Sequence, residues 1–390
     1  MKYPCSTEEA WRRIRALRHK PLNHAERGAR KLLFSAASKQ SEQFFKSADA
    51  AGYEIKPILL YYGLNQAARA IAASMIDDEK KWELQGHGIT CHNLNDDLSL
   101  GELVVSNQNR SGAFEALADI LGSPTLSMKV PLQAIWMSLP EGATVPLKGA
   151  EQLWGAAKLK RIDGKDFLAD LATYPWDKSK PVVRLSHLPY ALAPKNAVSA
   201  VELLRAKYPR LRNFLPVWDE AGNTLDFSWS SAERLSLSMA YYGGEAPKQF
   251  AVTGFDIVRC GMPGYGDPKE GSTWVIPAVG DNSRPMNPLI TWWAVLYTLS
   301  MLARYKPNNW TRMLDIDVSP DAPAIEYMLD EGHRACINLI MNVFETHKLY
   351  HRDPMPKGVQ EAVQMRQASI ARLDAEIEDM IVRYTRNRDG

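Results

Sequence analysis

The stretch from residue 56 to residue 75 constrains the fold more than any other part of the chain. It opens with Lys56 and Pro57, and proline suits a first helical turn because its missing N–H needs no partner there. Its many alanines favour a helix and leave a smooth surface for close packing. Apolar residues recur at three- and four-residue steps, at Leu60, Leu64, Ala67, Ile71 and Met75. The pattern predicts a buried helix.

A Gly-His-Gly sequence at residues 86–88 follows this helix after a polar break. The two glycines permit unusual backbone angles at a place where the chain could approach a ligand closely. The imidazole of His87 has an ordinary pKa near neutrality, which suits proton transfer. His87 is therefore the first catalytic candidate. The alternative is a histidine that only fixes the turn through hydrogen bonds to neighbouring helix ends.

Asn65 and Arg69 lie one helical turn apart within residues 56–75. Together they would present an amide and a guanidinium to an anion, so both are ligand-binding candidates. The alternative for Arg69 is an ion pair with a nearby carboxylate, such as Asp77 or Glu83.

A second helix is predicted over residues 289–305, where the proline in Lys306–Pro307 stops it. Apolar residues cover nearly its whole circumference, which is typical of a helix packed inside a protein. The apolar run is shorter than the roughly 20 residues that a membrane span needs, so we expect a core helix and no membrane partner. Arg304 at its end is a third ligand-binding candidate, because a buried guanidinium needs a partner. A favourable interaction with the helix dipole is the alternative.

Residues 128–284 have a different texture, with more proline and tryptophan and with shorter elements. Strands are predicted at residues 182–185, 225–229, 249–252, 255–258 and 273–276, and helices at 197–207 and 232–242. The sequence therefore predicts a mainly α protein, α+β overall, in three regions. Residues 1–127 would form a helical bundle, residues 128–284 a mixed α/β region, and residues 285–390 a helical region packed on the first. In the last region we expect separate helices at 324–329 and 333–347.

The composition limits the classes of function. The 47 basic residues against 45 acidic ones, a formal net charge of +2, argue against a protein saturated with phosphate contacts. The four cysteines show no zinc-type spacing, so no metal site is expected, and they suit a reducing cytoplasm. Residues 1–15 contain no apolar segment, so no signal peptide is expected. The glycines at 261–271 match no phosphate-binding loop, and we expect no cofactor.

A basic run extends from residue 12 to residue 31. Such a run could follow a phosphate backbone, and a solvated helix face is the alternative. The nucleic-acid-binding candidates are Arg12, Arg13, Arg18, Arg27 and Lys31.

A long helix is predicted from residue 357 onward. Its apolar residues follow a 3-4-3-4 spacing, which is typical of a seam between two helices. A homodimer or a partner protein could bind through residues 357–384, or the helix could dock on its own domain. The seam residues are Ile370, Leu373, Ile377, Met380 and Tyr384.

Two phrases together resemble a known family. Residues 56–65 (KPILLYYGLN) with residues 86–89 (GHGI), and later residues 299–310 (LSMLARYKPNNW), are similar to the paired signatures of YaaC-like bacterial proteins. The phrases lie in the first and last thirds of the chain in the expected order. The resemblance implies an architecture for nearly the whole chain and no established activity.

Residues 57–89 also resemble the helix-and-histidine phrase of HEPN domains, the helical bundles of many toxin and phage-defence ribonucleases. That resemblance implies metal-independent RNA cleavage by an Arg followed after four to six residues by a His. Here the spacing occurs only before the Tyr61–Tyr62 helix, whereas the family motif lies late in the domain. It joins Arg12 or Arg13 to His19, and Arg18 to His24, so His19 is the second catalytic candidate.

Two classes of function remain open. One is a cytoplasmic protein directed at nucleic acid, as an RNA-binding protein or a metal-independent ribonuclease in stress or phage defence. The other is a non-enzymatic scaffold that acts through its C-terminal helix.

Overall fold

The computed structural model describes residues 6–79, 81–94, 99–108, 112–161, 182–186, 188, 197–218, 225–229, 257–260 and 272–350. The chain divides into two compact units. We call the first, Lys2–Ala156 with Ala278–His351, the helical unit, and the second, within Ala157–Pro277, the sheet unit. The three-region division at residues 127 and 284 stays a prediction.

The helical unit contains long helices from both ends of the described chain, which confirms the mainly α class. Numbered along the chain, its helices are α1 (Thr7–His19), α2 (Gly28–Asp49), α3 (Lys56–Met75), α4 (Ala113–Ile120), α5 (Leu132–Met137), α6 (Pro140–Thr144), α8 (Pro288–Tyr305), α9 (Pro307–Leu314) and α10 (Ala322–Tyr350).

The α3 helix is the predicted buried helix, and it is buried on most of its circumference because α2 and α8 pack against it. Gly63 allows α2 to approach, since a Cβ there would lie 2.8 Å from the ring of Phe45. The Ser41 hydroxyl on α2 donates a hydrogen bond to the Gly63 carbonyl at 2.7 Å.

The α8 helix confirms the second predicted helix and packs on α3, so the C-terminal helical region does pack on the N-terminal bundle. Asn287 caps its first turn by accepting the Leu289 N–H at 2.9 Å. The buried hydroxyls of Thr298 and Ser300 donate to carbonyls of the helix itself, which satisfies them without water. Within the described residues, no helix is long and apolar enough to cross a membrane.

The two helices expected at 324–329 and 333–347 are a single helix, α10. Gly332 does not end it. A Cβ at this position would lie 2.8 Å from the Trp292 ring, so glycine is needed for the packing of α8.

A small antiparallel sheet in the helical unit was not expected from the sequence. Its strands are β1 (Ile89–Cys91), β2 (Val104–Asn107) and β3 (Val130–Pro131), in the order β1-β2-β3. Strands of two to four residues are too short to show the alternation by which a strand is recognised.

The sheet unit confirms the mixed α/β prediction for the middle of the chain. Its elements are β4 (Ala157–Arg161), β5 (Val182–Ser186), α7 (Ala197–Lys207), β6 (Phe214–Trp218), β7 (Leu225–Trp229), β8 (Ile257–Cys260) and β9 (Ser272–Val275). The strands are antiparallel in the order β6-β7-β5-β4-β9-β8. The predicted elements at 232–242 and 249–252, the glycines at 261–271 and the helix with its seam at 357–384 lie outside the described residues.

The C-terminal end of α3 is held by a buried arginine from α2. The Arg30 guanidinium, 5% exposed, donates hydrogen bonds to the carbonyls of Ala73, Ile76 and Asp77. It also pairs with Glu79 at 3.2 Å. The Ala73 carbonyl belongs to the last turn of α3, and the carbonyls of Ile76 and Asp77 follow the helix end. Carbonyls at a helix C-terminus lack partners within the helix, so the cation satisfies them and complements the helix dipole.

We expect Arg30→Met to lower the free energy of unfolding by about 2 kcal/mol, the range of hydrogen bonds to a charged group. Urea denaturation measures the loss. Lys39→Met, at an exposed position on the same helix, is the control and should leave stability unchanged. Equal stabilities for the two variants would contradict the capping role.

A buried carboxyl lies between α6 and α10. Glu141 is only 6% exposed. Burial raises the pKa of the Glu141 carboxyl from 4.5 to about 7, and the negative charge of Glu331 contributes to the rise. A carboxyl with a raised pKa keeps its proton in the folded protein when the unfolded chain has lost it. Its contribution to stability is therefore present below about pH 4.5 and is lost as the pH rises through 7.

We expect Glu141→Gln, which cannot ionise, to match the wild type near pH 4.5 and to exceed it in stability at higher pH. The shift corresponds to a gain on the order of 3 kcal/mol at about pH 8. Denaturation curves at the two pH values test this. A wild type that is the more stable protein at the higher pH would refute it.

Candidate functional site

A cluster of polar and aromatic side chains lies where α3, α8 and the turn at residues 86–88 meet. Asn65 and Arg69 come from α3, Arg304 comes from α8, and His87 comes from the turn. All four are site residues expected from the sequence, and the structure brings them together. We call this group, with Tyr61 of α3 and Tyr297 of α8, the His87 cluster.

The turn that carries His87 depends on its two glycines. Gly86 and Gly88 have φ angles of 64° and 75°, which side chains rarely adopt. Gly88 also lies against Gly112, where a Cβ would come within 2.3 Å of the Gly88 Cα. The His87 carbonyl accepts the N–H of Phe114, at the start of α4, at 3.1 Å. The backbone of the turn is thus held at a defined position beside α3.

Two hydrogen bonds lie along one face of α3, and one of them reaches His87. Arg69 Nε donates to Asn65 Oδ1 at 3.3 Å. Tyr61 Oη lies 2.6 Å from His87 Nδ1. The spacing of four residues places Tyr61, Asn65 and Arg69 on adjacent turns.

The Tyr61 hydroxyl is a suitable hydrogen-bond donor to His87. Burial raises the pKa of Tyr61, so the phenol keeps its proton. When the phenol donates that proton to Nδ1, the proton of the neutral imidazole is on Nε2, and His87 presents an N–H donor at that nitrogen.

The charges around His87 favour the neutral imidazole. Burial lowers its pKa, and the Arg304 and Arg69 guanidinium groups lower it further. Neither guanidinium makes an ion pair with a carboxylate of any described residue. Arg69 bonds Asn65 instead of Asp77 or Glu83, so the carboxylate alternative for Arg69 is not realised. The half-buried groups of the cluster are thus two cations and a neutral N–H donor, a set that attracts an anion.

Arg304 is positioned by aromatic and polar contacts. Its Nη1 donates to the Tyr62 hydroxyl at 3.1 Å, and its Nε donates to the Ser300 carbonyl at 3.2 Å. The guanidinium carbon lies 5.6 Å from the Tyr62 ring centre and 5.2 Å from that of Tyr305. These contacts occupy part of its donor set, and its place in the last turn of α8 also favours the helix dipole.

The two tyrosines of the cluster, Tyr61 and Tyr297, were not predicted as site residues from the sequence. The Tyr61 ring lies 5.5 Å from the Tyr297 ring and 5.7 Å from His87, and Tyr297 lies 5.8 Å from His87. Tyr297 lies in a helix that is apolar all round, so nothing in the sequence pattern indicated that its hydroxyl belongs to a site. Its position seven residues before Arg304 was the one available indication that both face the same side.

The remaining predicted residues lie elsewhere. Arg12 and Arg13 pair with Glu9 on the same helix, and Arg13 also reaches Glu345 at 2.8 Å. His19 is exposed at the end of α1. In the described part of the chain, no hydrogen bond, ion pair or ring contact joins these residues, or Arg18, Arg27 and Lys31, to the His87 cluster. Their roles stay predictions.

Fold and site together define a mainly helical protein with a cationic, donor-rich cluster on its helical unit. The model of the YaaC-like protein family matches residues 6–163 and 262–344, more than half of the chain. The chain belongs to the YaaC-like protein family, and every member of the His87 cluster lies in the matched ranges. Searches of curated proteins and of solved structures gave no match. The resemblance of residues 57–89 to HEPN domains stays a prediction.

We expect Arg304→Met and Arg69→Met each to raise the pKa of His87, because each removes a positive charge that disfavours the imidazolium. The rise should be larger for Arg304→Met, whose charge has the larger effect. An NMR titration of the imidazole, assigned with His87→Gln, measures both. Arg12→Met is the control and should change nothing, and an unmoved pKa in both cluster variants would show that the guanidinium groups do not face His87.

Proposed function

We propose that this YaaC-like protein binds RNA and that the His87 cluster holds a backbone phosphate. The observation that carries the proposal is the pair of arginines, Arg69 and Arg304, beside the imidazole of His87, with neither guanidinium paired to a carboxylate of the residues that the structure describes. Planar guanidinium groups match phosphate oxygens in geometry and charge, so a phosphate would supply the missing counter-charge.

The geometry supports binding ahead of cleavage. A general base must offer a free lone pair, and His87 has none when Nδ1 accepts from Tyr61 and Nε2 carries the proton. As a donor, His87 would contact a phosphate oxygen without exchanging a proton. Cleavage would require the hydrogen bond to Tyr61 to reverse first, so ribonuclease activity is the less favoured form of this proposal.

The basic run contributes unequally to such a function. Arg12 and Arg13 are engaged by Glu9 and so have less charge to offer. Arg27 is exposed, and Arg18 and Lys31 are half-buried, and these three would extend the RNA-binding surface by sequence-independent phosphate contacts. The cytoplasmic location and the stress or phage-defence setting expected from the sequence belong to this proposal as well.

We expect wild-type protein to bind fluorescein-labelled single-stranded RNA, and Arg69→Gln and His87→Ala each to weaken binding about tenfold, the loss for one charged or buried hydrogen bond. Fluorescence anisotropy at several salt concentrations measures this. Arg69→Gln should also reduce the slope of log affinity against log salt by about one, because one phosphate contact is lost.

Lys39→Gln, at an exposed position on α2, is the control for a general charge effect. Affinities that fall equally in this control and in Arg69→Gln would contradict a specific site. A parallel incubation of labelled RNA in chelator, with His87→Ala and His19→Ala, tests cleavage. Products that disappear in one variant would show an enzyme and identify its histidine.

A further inference from the structure

Tyr305 is an exposed aromatic residue at the edge of the His87 cluster. It is 61% exposed, and it is the single aromatic among the exposed large apolar side chains of the residues that the structure describes. Other large rings of the helical unit, such as Trp292, Trp293 and Trp310, are buried. Much of the Tyr305 ring is therefore accessible to a ligand.

The ring of Tyr305 is fixed beside the proposed phosphate site. The Arg304 guanidinium carbon lies 5.2 Å from its ring centre and 5.6 Å from that of Tyr62, so the cation contacts both rings. The Arg304 charge also acts on Tyr297 and on His87, so the guanidinium that contacts the Tyr305 ring belongs to the cluster. Tyr297 in turn contacts His87.

From this arrangement we infer that Tyr305 is a stacking platform for an unpaired nucleobase, next to the cluster that holds the phosphate. The inference rests on the proposed function and specifies its ligand class as single-stranded RNA. A guanidinium against an aromatic ring polarises and orients it, and the solvent-exposed part of the ring is available to a base. Bases in a duplex are stacked on one another and cannot reach such a ring.

The test compares two labelled probes with equal numbers of phosphates. One is an oligoadenylate of about six nucleotides, within the site size of single-strand binders, and the other is the same backbone without bases. Tyr305→Ala should weaken binding of the oligoadenylate about tenfold, the loss of one stacked base, and should leave the abasic probe unchanged. Tyr305→Phe keeps the ring and should bind both probes as the wild type does. Arg69→Gln should weaken binding of both probes.

The outcomes separate the two proposals. Equal losses on both probes in Tyr305→Ala would mean that Tyr305 acts only by positioning Arg304, and would overturn the stacking role. No loss on either probe, while Arg69→Gln still weakens both, would overturn stacking and leave the phosphate site standing. Wild-type protein that binds neither probe would overturn both proposals. Thermal denaturation of Tyr305→Ala confirms that the variant is folded, and Tyr305→Leu, which removes the ring but keeps an apolar side chain, is the second variant if it is not.

Discussion

The packing of α3 against α8 is the interaction on which the rest of the helical unit depends. Both helices are apolar around most of their circumference, so each must pack against other elements to bury its apolar side chains. Tyr61 stands at this contact: it is fully buried, its ring meets Trp293 edge-on at 5.9 Å, and its hydroxyl bonds His87. One side chain therefore serves the core and the site together. A site built on such a residue is pre-organised, because moving it would open the core.

The positive charges of the His87 cluster repel one another, and a bound anion could relieve that repulsion. Two guanidinium groups face one imidazole and lower its pKa, and no described carboxylate pairs with Arg69 or Arg304 to compensate. Positive charges held close together cost stability unless water or a counter-ion screens them. The fold tolerates the cost because the groups are only half-buried and because Tyr62, Asn65 and Ser300 bond them in place. An anion that binds here would stabilise the folded protein through mass action, as any ligand of the native state does.

Local patterns predicted what depends on neighbours in sequence. The helical periodicity of residues 56–75 and 289–305 and the four-residue step from Asn65 to Arg69 were sufficient, because both follow from helix geometry alone. The meeting of His87 with Tyr61 depends instead on Gly88 lying against Gly112, a contact between segments far apart in the chain. The unbroken course of α10 is a second case. Gly332 lies inside that helix where the Trp292 ring leaves no room for a Cβ, and Trp292 is distant in sequence.

The position of the cluster within the matched ranges bears on where the chemistry of this chain resides. The family model spans the helical unit on both sides and leaves residues 164–261 unmatched, and that interval lies within Ala157–Pro277 of the sheet unit. Tyr61, Asn65, Arg69, His87, Tyr297 and Arg304 all fall on the matched side, although two of them come from beyond the unmatched interval. The packing of α3 against α8 brings the two matched segments together within the helical unit. Every side chain of the cluster comes from these two helices or from the turn at residues 86–88, so the cluster is a consequence of that packing.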